Sequence, residues 1–201
     1  MVVPPLFASI ATLSRANLGI LNQKLLLLDV MRRTFGALES RELFQQVCPI
    51  VKASIGQHIR HSMDHMELAA MHAADMDATD HVHEIHYDLR RRGGPDEYDI
   101  DQAQLRIERT AELFTKLTQS LGDSSQPVHA CFMLSGDPQE FILPSTVARE
   151  LGFAAHHGIH HMAMVKIIAV ETLQIPPEAL TPDFGKAPST IVFDQSQRKR
   201  M

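Results

Sequence analysis

The sequence predicts an all-α protein, in which four long helices form a bundle and a long crossover joins the second helix to the third. Three observations predict this fold class. Apolar residues recur at three- and four-residue steps along four segments, helix-capping residues begin those segments, and 44% of the 201 residues are hydrophobic, enough for one core. We therefore expect a single domain over 1–201, with its core over about 13–175 and an extended tail over 176–201.

The first two helices are predicted from apolar periodicity and from a capping motif. Helix one covers about 12–34, where the recurring apolar positions are Leu18, Leu21, Leu25, Leu28 and Met31. Helix two begins at Ser54, because Ser54 and Gln57 have the S-x-x-Q spacing of a capping box. It runs to about Asp75.

The third helix is predicted to begin near Asp99 or Asp101 and to continue to about Leu121, with Gly122 as the residue that ends it. The connection that precedes it, over 76–100, is long. A helix of about 20 residues spans about 30 Å, so a connection between two parallel neighbours needs that length. We therefore expect helices two and three to run parallel, with a crossover between them.

The fourth helix is predicted to begin after Pro144, with Ser145 or Thr146 as its cap, and to run to about Gln174 ahead of two prolines. The chain after Pro182 is rich in Pro, Gly, Ser and Asp. Such a composition favours irregular structure, so we expect this tail to lie along the bundle without a regular element.

Two short segments outside the helices have the composition of strands. Residues 83–87 alternate in polarity, and residues 128–134 are rich in residues that favour strands. We expect the two to pair as a small β-hairpin at one end of the bundle.

Composition excludes several classes of protein. The net charge of −5 argues against a nucleic-acid surface, and the longest uncharged apolar run is too short for a membrane span. The 2 cysteines cannot form a disulfide framework or a four-thiolate zinc site, and packing is the expected role of Cys48 and Cys131. We expect a cytoplasmic protein, although the first 28 residues lack acids and are weakly compatible with an organelle transit segment.

The 12 histidines are the unusual feature of the sequence. On the wheel of helix two, one face carries His61, His65 and His72, with His58 at its margin. Helix four carries two pairs at i, i+4 spacing, which are His157 with His161 and His156 with His160. Such a pair can hold one divalent ion, and a third histidine from a facing helix gives the three-nitrogen set of a catalytic zinc site. The alternative is that each histidine is an ordinary hydrogen-bonded core or surface residue.

Competing motifs do not fit. The HEIH run at 83–86 is one residue short of the zinc-protease motif H-E-x-x-H. The sequence has no E-x-x-H, which argues against a di-iron carboxylate bundle. It also lacks the glycine-rich nucleotide-binding motifs and the G-x-S-x-G of serine hydrolases.

Two separated motifs resemble the DinB-like (damage-inducible) superfamily. They are IGQHIRHSMDH at 55–65 and RELGFAAHHGIHHMA at 149–163, and the tail DFGKAPST at 183–190 extends the resemblance over about 13–193. The resemblance implies an up-down-down-up four-helix bundle, often a homodimer. It also implies one divalent metal ion held by three histidines, with zinc expected and nickel or iron also suited to such ligands.

The resemblance implies that the metal ligands are His61, His157 and His161. His61 matches the helix-two ligand because an aspartate, here Asp64, follows three residues later, and Asp64 is expected to support a ligand rather than to bind the ion. His65 is the alternative ligand on helix two. On helix four the alternative ligand is His160. Some members of the family have two adjacent histidines at this point, as His160 and His161 are here, and the neighbour of the ligand does not bind metal in them.

Glu150 lies on the same wall of helix four as the histidine pair. On the helical wheel Glu150, His157 and His161 fall within about 40° of one line. Glu150 is therefore a candidate to orient a ligand or to act as a general base on bound water. The alternative is an ion pair with the arginines at 90–92.

Two functions follow as hypotheses. Characterised DinB-like proteins resemble thiol transferases, which implies a metal-dependent enzyme that activates a low-molecular-weight thiol such as bacillithiol, mycothiol or glutathione. The same site suits a hydrolase that activates water. Arg90, Arg91 and Arg92 are candidates to neutralise a carboxylate of the small substrate. The second hypothesis is a non-catalytic metal-binding or stress-response bundle, in which His65 or Asp64 supplies a fourth ligand.

Overall fold

A computed structural model describes residues 7–75, 82–89 and 93–198. The protein is mostly helical, as predicted, and adds a small three-stranded mixed sheet. The helices are α1 (Ile10–Gln45), α2 (Ile55–Ala74), α3 (Pro95–Tyr98), α4 (Ile100–Leu117), α5 (Val147–Ile167) and α6 (Pro188–Arg198). The strands are β1 (His83–His86), β2 (Pro127–Met133) and β3 (Glu140–Thr146).

The predicted starts of α2 and α5 are confirmed. At the start of α2, the Gln57 N–H donates to Ser54 Oγ at 3.1 Å and the Ser54 N–H donates to Gln57 Oε1 at 3.0 Å. At the start of α5, the Thr146 side chain accepts from the Arg149 N–H. These caps satisfy N–H groups that have no partner within the helix, and they fix where each helix begins.

One predicted helix end is close and another is wrong. The helical backbone of α1 is interrupted at Gly36, two residues past the predicted end at about 34, and a further helical stretch follows to Gln45; the φ of 79° at Gly36 is available at low cost only to glycine. Helix α4 ends at Leu117 rather than near Leu121, so Gly122 is not its terminal residue. There the Thr118 N–H bonds back to Phe114 O and Thr115 O, which tightens the last turn and closes the helix.

The fourth predicted helix ends close to where the sequence placed its end. Helix α5 passes into a single π-helical turn at Ile168–Thr172. Gln174 then takes a left-handed backbone with φ of 57°, which no helix continues. The predicted end at about Gln174 therefore holds.

The sheet corrects the predicted hairpin. The two predicted strands do pair, but β1 and β2 run parallel, with His86 opposite Cys131. The antiparallel partner of β2 is β3, which the sequence did not predict. Pro144 argues against a strand there, yet β3 lies at the edge of the sheet, where a residue without an N–H is tolerated.

The long helices enclose one hydrophobic core. Helix α1 packs against α4 and α5, and α2 also packs against α4 and α5. Helices α1 and α5 approach closely at Gly158, where an added Cβ would lie 3.1 Å from a methyl carbon of Ile20. None of the helices in the described part of the chain is both long enough and apolar enough to cross a membrane.

The C-terminal segment is more regular than predicted. It contains α6 and a single 3₁₀ turn at Pro177–Ala179, so the predicted extended tail is wrong over those residues. The segment between them does pack on the helices, since Phe184 is fully buried and the Gly185 N–H donates to Gln23 Oε1 of α1 at 3.0 Å. Gly185 has φ of +66°, and a Cβ there would lie 2.8 Å from Met162 O, so glycine is required.

Candidate metal centre

The packing of α2 against α5 brings three predicted ligands together. His61 projects from α2, and His157 and His161 project from neighbouring turns of α5. Nε2 of His157 lies 3.2 Å from Nε2 of His61 and 3.1 Å from Nε2 of His161. The rings of His61 and His161 are 4.7 Å apart between centroids. We call these three residues the histidine site.

Two nitrogen distances in the histidine site are close to those between ligands of one divalent ion. Imidazole nitrogens bound at about 2.0–2.1 Å in a tetrahedron lie about 3.3–3.4 Å from one another. The two distances from His157 Nε2 are within about 0.3 Å of that spacing. The nitrogens also come from two separate helices, so the packing of the protein, and not helix periodicity alone, assembles the set.

His65 lies beside the histidine site and His160 lies at its margin. The ligand atoms of His61, His65 and His157 all lie within 4.8 Å of one another, which makes His65 a further possible ligand. His65 is 4% exposed and its ring stacks on Tyr87 with centroids 4.9 Å apart. The His160 ring is exposed and contacts the edge of the site through His161, at 5.2 Å between centroids.

His58 positions the ring of His161. Nδ1 of His161 lies 2.8 Å from Nδ1 of His58, on the side of the ring opposite Nε2. A ligand role for Nε2 requires the tautomer with its proton on Nδ1, and that N–H then donates to His58. The sequence placed His58 only at the margin of the histidine face and gave it no role.

Burial favours the neutral form of two rings, those of His161 and His58. Burial lowers the pKa of His161 well below its usual range, and the neighbouring His157, His61 and His58 lower it further. Burial, and then His160, also lower the pKa of His58. A neutral imidazole keeps a lone pair on one nitrogen, which is the form that binds a metal.

Glu150 reaches the histidine site through Tyr87. It is 1% exposed, and its Oε2 accepts from the Tyr87 hydroxyl at 2.8 Å while its Oε1 accepts from Ser145 at 2.5 Å. Arg149 also donates to Oε1, at 3.0 Å. The Tyr87 ring in turn stacks on His65, so Glu150 holds in place the ring that packs on His65 beside the histidine site. This arrangement favours an orienting role for Glu150 over that of a base.

Asp64 takes part in a network of buried ion pairs. Its Oδ2 accepts from Arg60 at 3.0 Å and its Oδ1 lies 2.9 Å from Arg106. Arg60 also pairs with Glu97 at 3.1 Å, and Arg106 pairs with two further carboxylates. Asp64 thus fixes the turn of α2 that carries His61 and His65 through its arginine partners, and its predicted support of a metal ligand stays a prediction.

Aromatic rings pack against one side of His65 and His157. Phe153 lies 5.5 Å from His157 and 5.7 Å from His65 between ring centroids, and Phe132 of β2 stacks on Tyr87 at 4.9 Å. Apolar rings exclude water and lower the local dielectric, which strengthens electrostatic interactions in the site.

Tyr87 and His58 are the residues that sequence reasoning missed. The alternation of β1 gives a signal for Tyr87, since it shares a face with the buried Ile85. No such signal exists for the contact of His58 with His161, because it depends on how α2 and α5 pack. The predicted anion-binding residues Arg90, Arg91 and Arg92 lie outside the described residues.

Comparisons with known proteins leave the family open. No family model matches the chain, and no solved structure matches it. Among curated proteins, "FK506-binding protein 5" of Rhizopus delemar is 30% identical over 117 residues, which is 56% of this chain and 28% of that protein. The chain therefore spans little more than a quarter of the relative's length.

Proposed function

We propose that the protein is a metal-dependent enzyme with a DinB-like four-helix bundle, in which His61, His157 and His161 hold one divalent ion, expected to be zinc. The proposed reaction is transfer or hydrolysis with an activated low-molecular-weight thiol or water. We propose a homodimer as its state of assembly, which light scattering on the purified protein tests.

The observation that carries the proposal is the position of His157 Nε2, which lies 3.2 Å from Nε2 of His61 on α2 and 3.1 Å from Nε2 of His161 on α5. Three neutral imidazoles leave a coordination position open for a substrate, whereas a structural zinc site is closed by a fourth protein ligand. His61 and His157 are only partly buried, so the site is reachable from solvent on their side.

The residues around the site hold its ligands in place. His58 accepts the hydrogen bond that fixes the tautomer of His161, and Tyr87, held by Glu150, supports the ring of His65. A divalent ion, when bound, supplies Lewis acidity, which lowers the pKa of a thiol or of water beside it. Phe153 shields the other side of the site from solvent.

Arg149 is a candidate to bind a substrate carboxylate. Its side chain is 57% exposed, and its guanidinium lies 5.1 Å from the centre of the Phe153 ring, which itself packs on His157. Thiol cosubstrates of this class carry carboxylates, and a guanidinium binds a carboxylate in a fixed orientation. One nitrogen of this guanidinium pairs with Glu150 Oε1 at 3.0 Å, and we propose that its exposed part binds the substrate carboxylate.

Metal quantification followed by a thermal-shift screen tests the proposed function. Protein loaded with one equivalent of zinc is heated with millimolar glutathione, or with its S-methyl derivative as a control without a free thiol. We expect a rise in Tm on the order of 5 °C for the thiol, and no rise for the control or for His157→Ala. A shift that is equal for both compounds, or that persists without metal, contradicts thiol activation.

The second candidate is a non-catalytic metal-binding bundle, and the position of His65 favours it. Its ligand atom lies within 4.8 Å of those of His61 and His157, so it is near enough to supply a fourth ligand. Metal-edge absorption distinguishes the two functions. Three nitrogens with an exchangeable fourth ligand support the enzyme, and four histidine nitrogens support the structural alternative.

A further inference from the structure

A second cluster of metal-ligating side chains lies on the sheet, away from the histidine site. In β1, Ile85 is buried, while Glu84 and His86 project to the opposite face. The register places His86 beside Cys131 of β2 and Glu84 beside His129. Strand β1 thus supplies two potential ligands next to a thiol. We call Glu84, His86 and Cys131, with Glu140 of β3, the sheet cluster.

The sheet cluster has the geometry of a cation site. One ligand atom each from Glu84, His86 and Cys131 lies within 4.8 Å of the other two. His86 Nδ1 lies 2.6 Å from Glu140 Oε2, and His86 Nε2 lies 3.4 Å from Glu84 Oε2. Glu140 therefore holds one nitrogen of His86 and directs the other toward Glu84. A carboxylate behind a histidine is the usual support of a zinc-binding imidazole.

Two further observations point to a missing cation. Oε1 of Glu140 is buried and has no hydrogen-bond partner among the described residues, so positive charge near this carboxylate stabilises it. Cys131 is 1% exposed, and it lies in register with His86. The thiol is therefore buried beside the imidazole.

We propose that the sheet cluster binds one Zn²⁺-like divalent cation through Cys131 Sγ, His86 Nε2 and a Glu84 oxygen, with Glu140 as the positioning residue. The mixture of thiolate, imidazole and carboxylate selects zinc or cobalt over calcium or magnesium, which prefer oxygen alone. Binding forms a sulfur–metal bond and releases the thiol proton to solvent. The proposal is independent of the histidine site.

Cobalt absorption tests the proposal because the sheet cluster contains sulfur and the histidine site does not. Reduced protein is titrated with Co²⁺, and the thiolate-to-cobalt charge-transfer band is recorded in the near ultraviolet. We expect the band in the parent protein, in Cys48→Ser and in the His157→Ala/His161→Ala double variant. We expect it to be absent in Cys131→Ser, whose Co²⁺ content falls by one equivalent relative to the parent protein.

Glu140→Gln provides a second test that leaves the ligands in place. Glutamine still accepts from His86 but removes the charge, so we expect Co²⁺ affinity at the sheet cluster to fall about 10–100-fold. The proposal is overturned if the parent protein shows no band, if Cys131→Ser retains it, or if Glu140→Gln binds Co²⁺ as tightly as the parent. Failure of the histidine site would leave the band unchanged, so the two outcomes are distinguishable.

Discussion

Helix α2 carries two polar faces, and they differ in the partners that their polar side chains contact. On one face, Arg60 and Asp64 belong to a network in which each buried charge meets an opposite charge from the chain. On the other, His58 and His61 contact histidines of α5, and these contacts join nitrogen to nitrogen. The first face is complete within the protein. The second brings ring nitrogens of α2 and α5 within 3.2 Å of one another, and we propose that a bound cation completes it.

The largest effect that separates the two faces is loss of metal. His157→Ala and His161→Ala each remove one converging nitrogen, so we expect the purified variants to lose their stoichiometric metal at the histidine site. His156→Ala is the matched control, because His156 is an exposed neighbour on the same helix. Elemental analysis in a Cys131→Ser background measures the result. Full retention in both variants would rule out the ligand assignment.

The ion-pair face should respond in stability and not in metal content. Arg106→Met leaves Asp64, Glu67 and Asp96 without their shared partner, and we expect the free energy of unfolding to fall by about 3–5 kcal/mol. Arg41→Met is the control, since Arg41 pairs with Asp101 at the surface, where solvent screens the pair, and the variant should unfold much as the parent does. Urea unfolding measures both values. Equal losses for the two variants would contradict the account of this face.

Lys24 differs from the groups on both faces, because it is a buried amine whose hydrogen-bond partner is a hydroxyl. It is fully buried and donates to Ser62 of α2. Burial, and then Arg106, lower its pKa from 10.5 to about 7, with Asp64 opposing the shift. The native protein therefore releases this proton between pH 7 and 10.5, where the unfolded chain retains it, so the Lys24 contribution to the free energy of unfolding rises with pH across that range.

We expect Lys24→Met to stabilise the protein at pH 7 by on the order of 3–5 kcal/mol and to remove this rise. Ser62 keeps its bonds to His58 O and Ile59 O in the variant, so no polar group is left without a partner. Unfolding in urea at several pH values measures the effect. A variant that is less stable than the parent at pH 7 would contradict it.

The smallest predicted effect concerns the support of the histidine site. Tyr87→Phe removes the hydroxyl that donates to Glu150, which loosens the ring stacked on His65. His65 is the alternative ligand on α2, so we expect metal affinity to fall about 10–100-fold if His65 binds the ion, with the number of ions bound at saturation unchanged. An unchanged affinity shows that His65 is not a ligand. Competition with a chromophoric chelator measures the affinity. Tyr98→Phe, at an exposed position of α3, is the control and should bind as the parent does.

Local signals in the sequence predicted the local features of this fold. The capping box of Ser54 and Gln57 and the cap at Thr146 are short-range interactions, and both are confirmed. The break at Gly36 lies two residues past the predicted end of helix one, and the helical stretch after it, up to Gln45, was missed because it lacks the apolar periodicity of the first stretch. Strand β3 was missed because Pro144 is tolerated only at an edge, and edge position is a property of the assembled sheet.

In the candidate site, too, local spacing predicted some contacts, while others depend on how the elements pack. The i, i+4 spacing predicted that His157 and His161 share a face, and their Nε2 atoms do lie 3.1 Å apart. The contact of His61 with His157 was implied by the resemblance, and the packing of α2 on α5 provides it. The sheet cluster was beyond prediction, because its members come from three strands whose register the sequence does not reveal.

Long-range ¹H–¹⁵N NMR of the imidazoles tests the central claim most directly. The experiment uses Cys131→Ser protein, so that the histidine site alone is titrated with zinc. We predict that the Nε2 signals of His61, His157 and His161 shift together and stop shifting at one equivalent, while Nδ1 of His161 stays protonated. If these three signals do not move, or if zinc instead shifts only exposed histidines such as His156 and His160, the histidine site does not bind the metal.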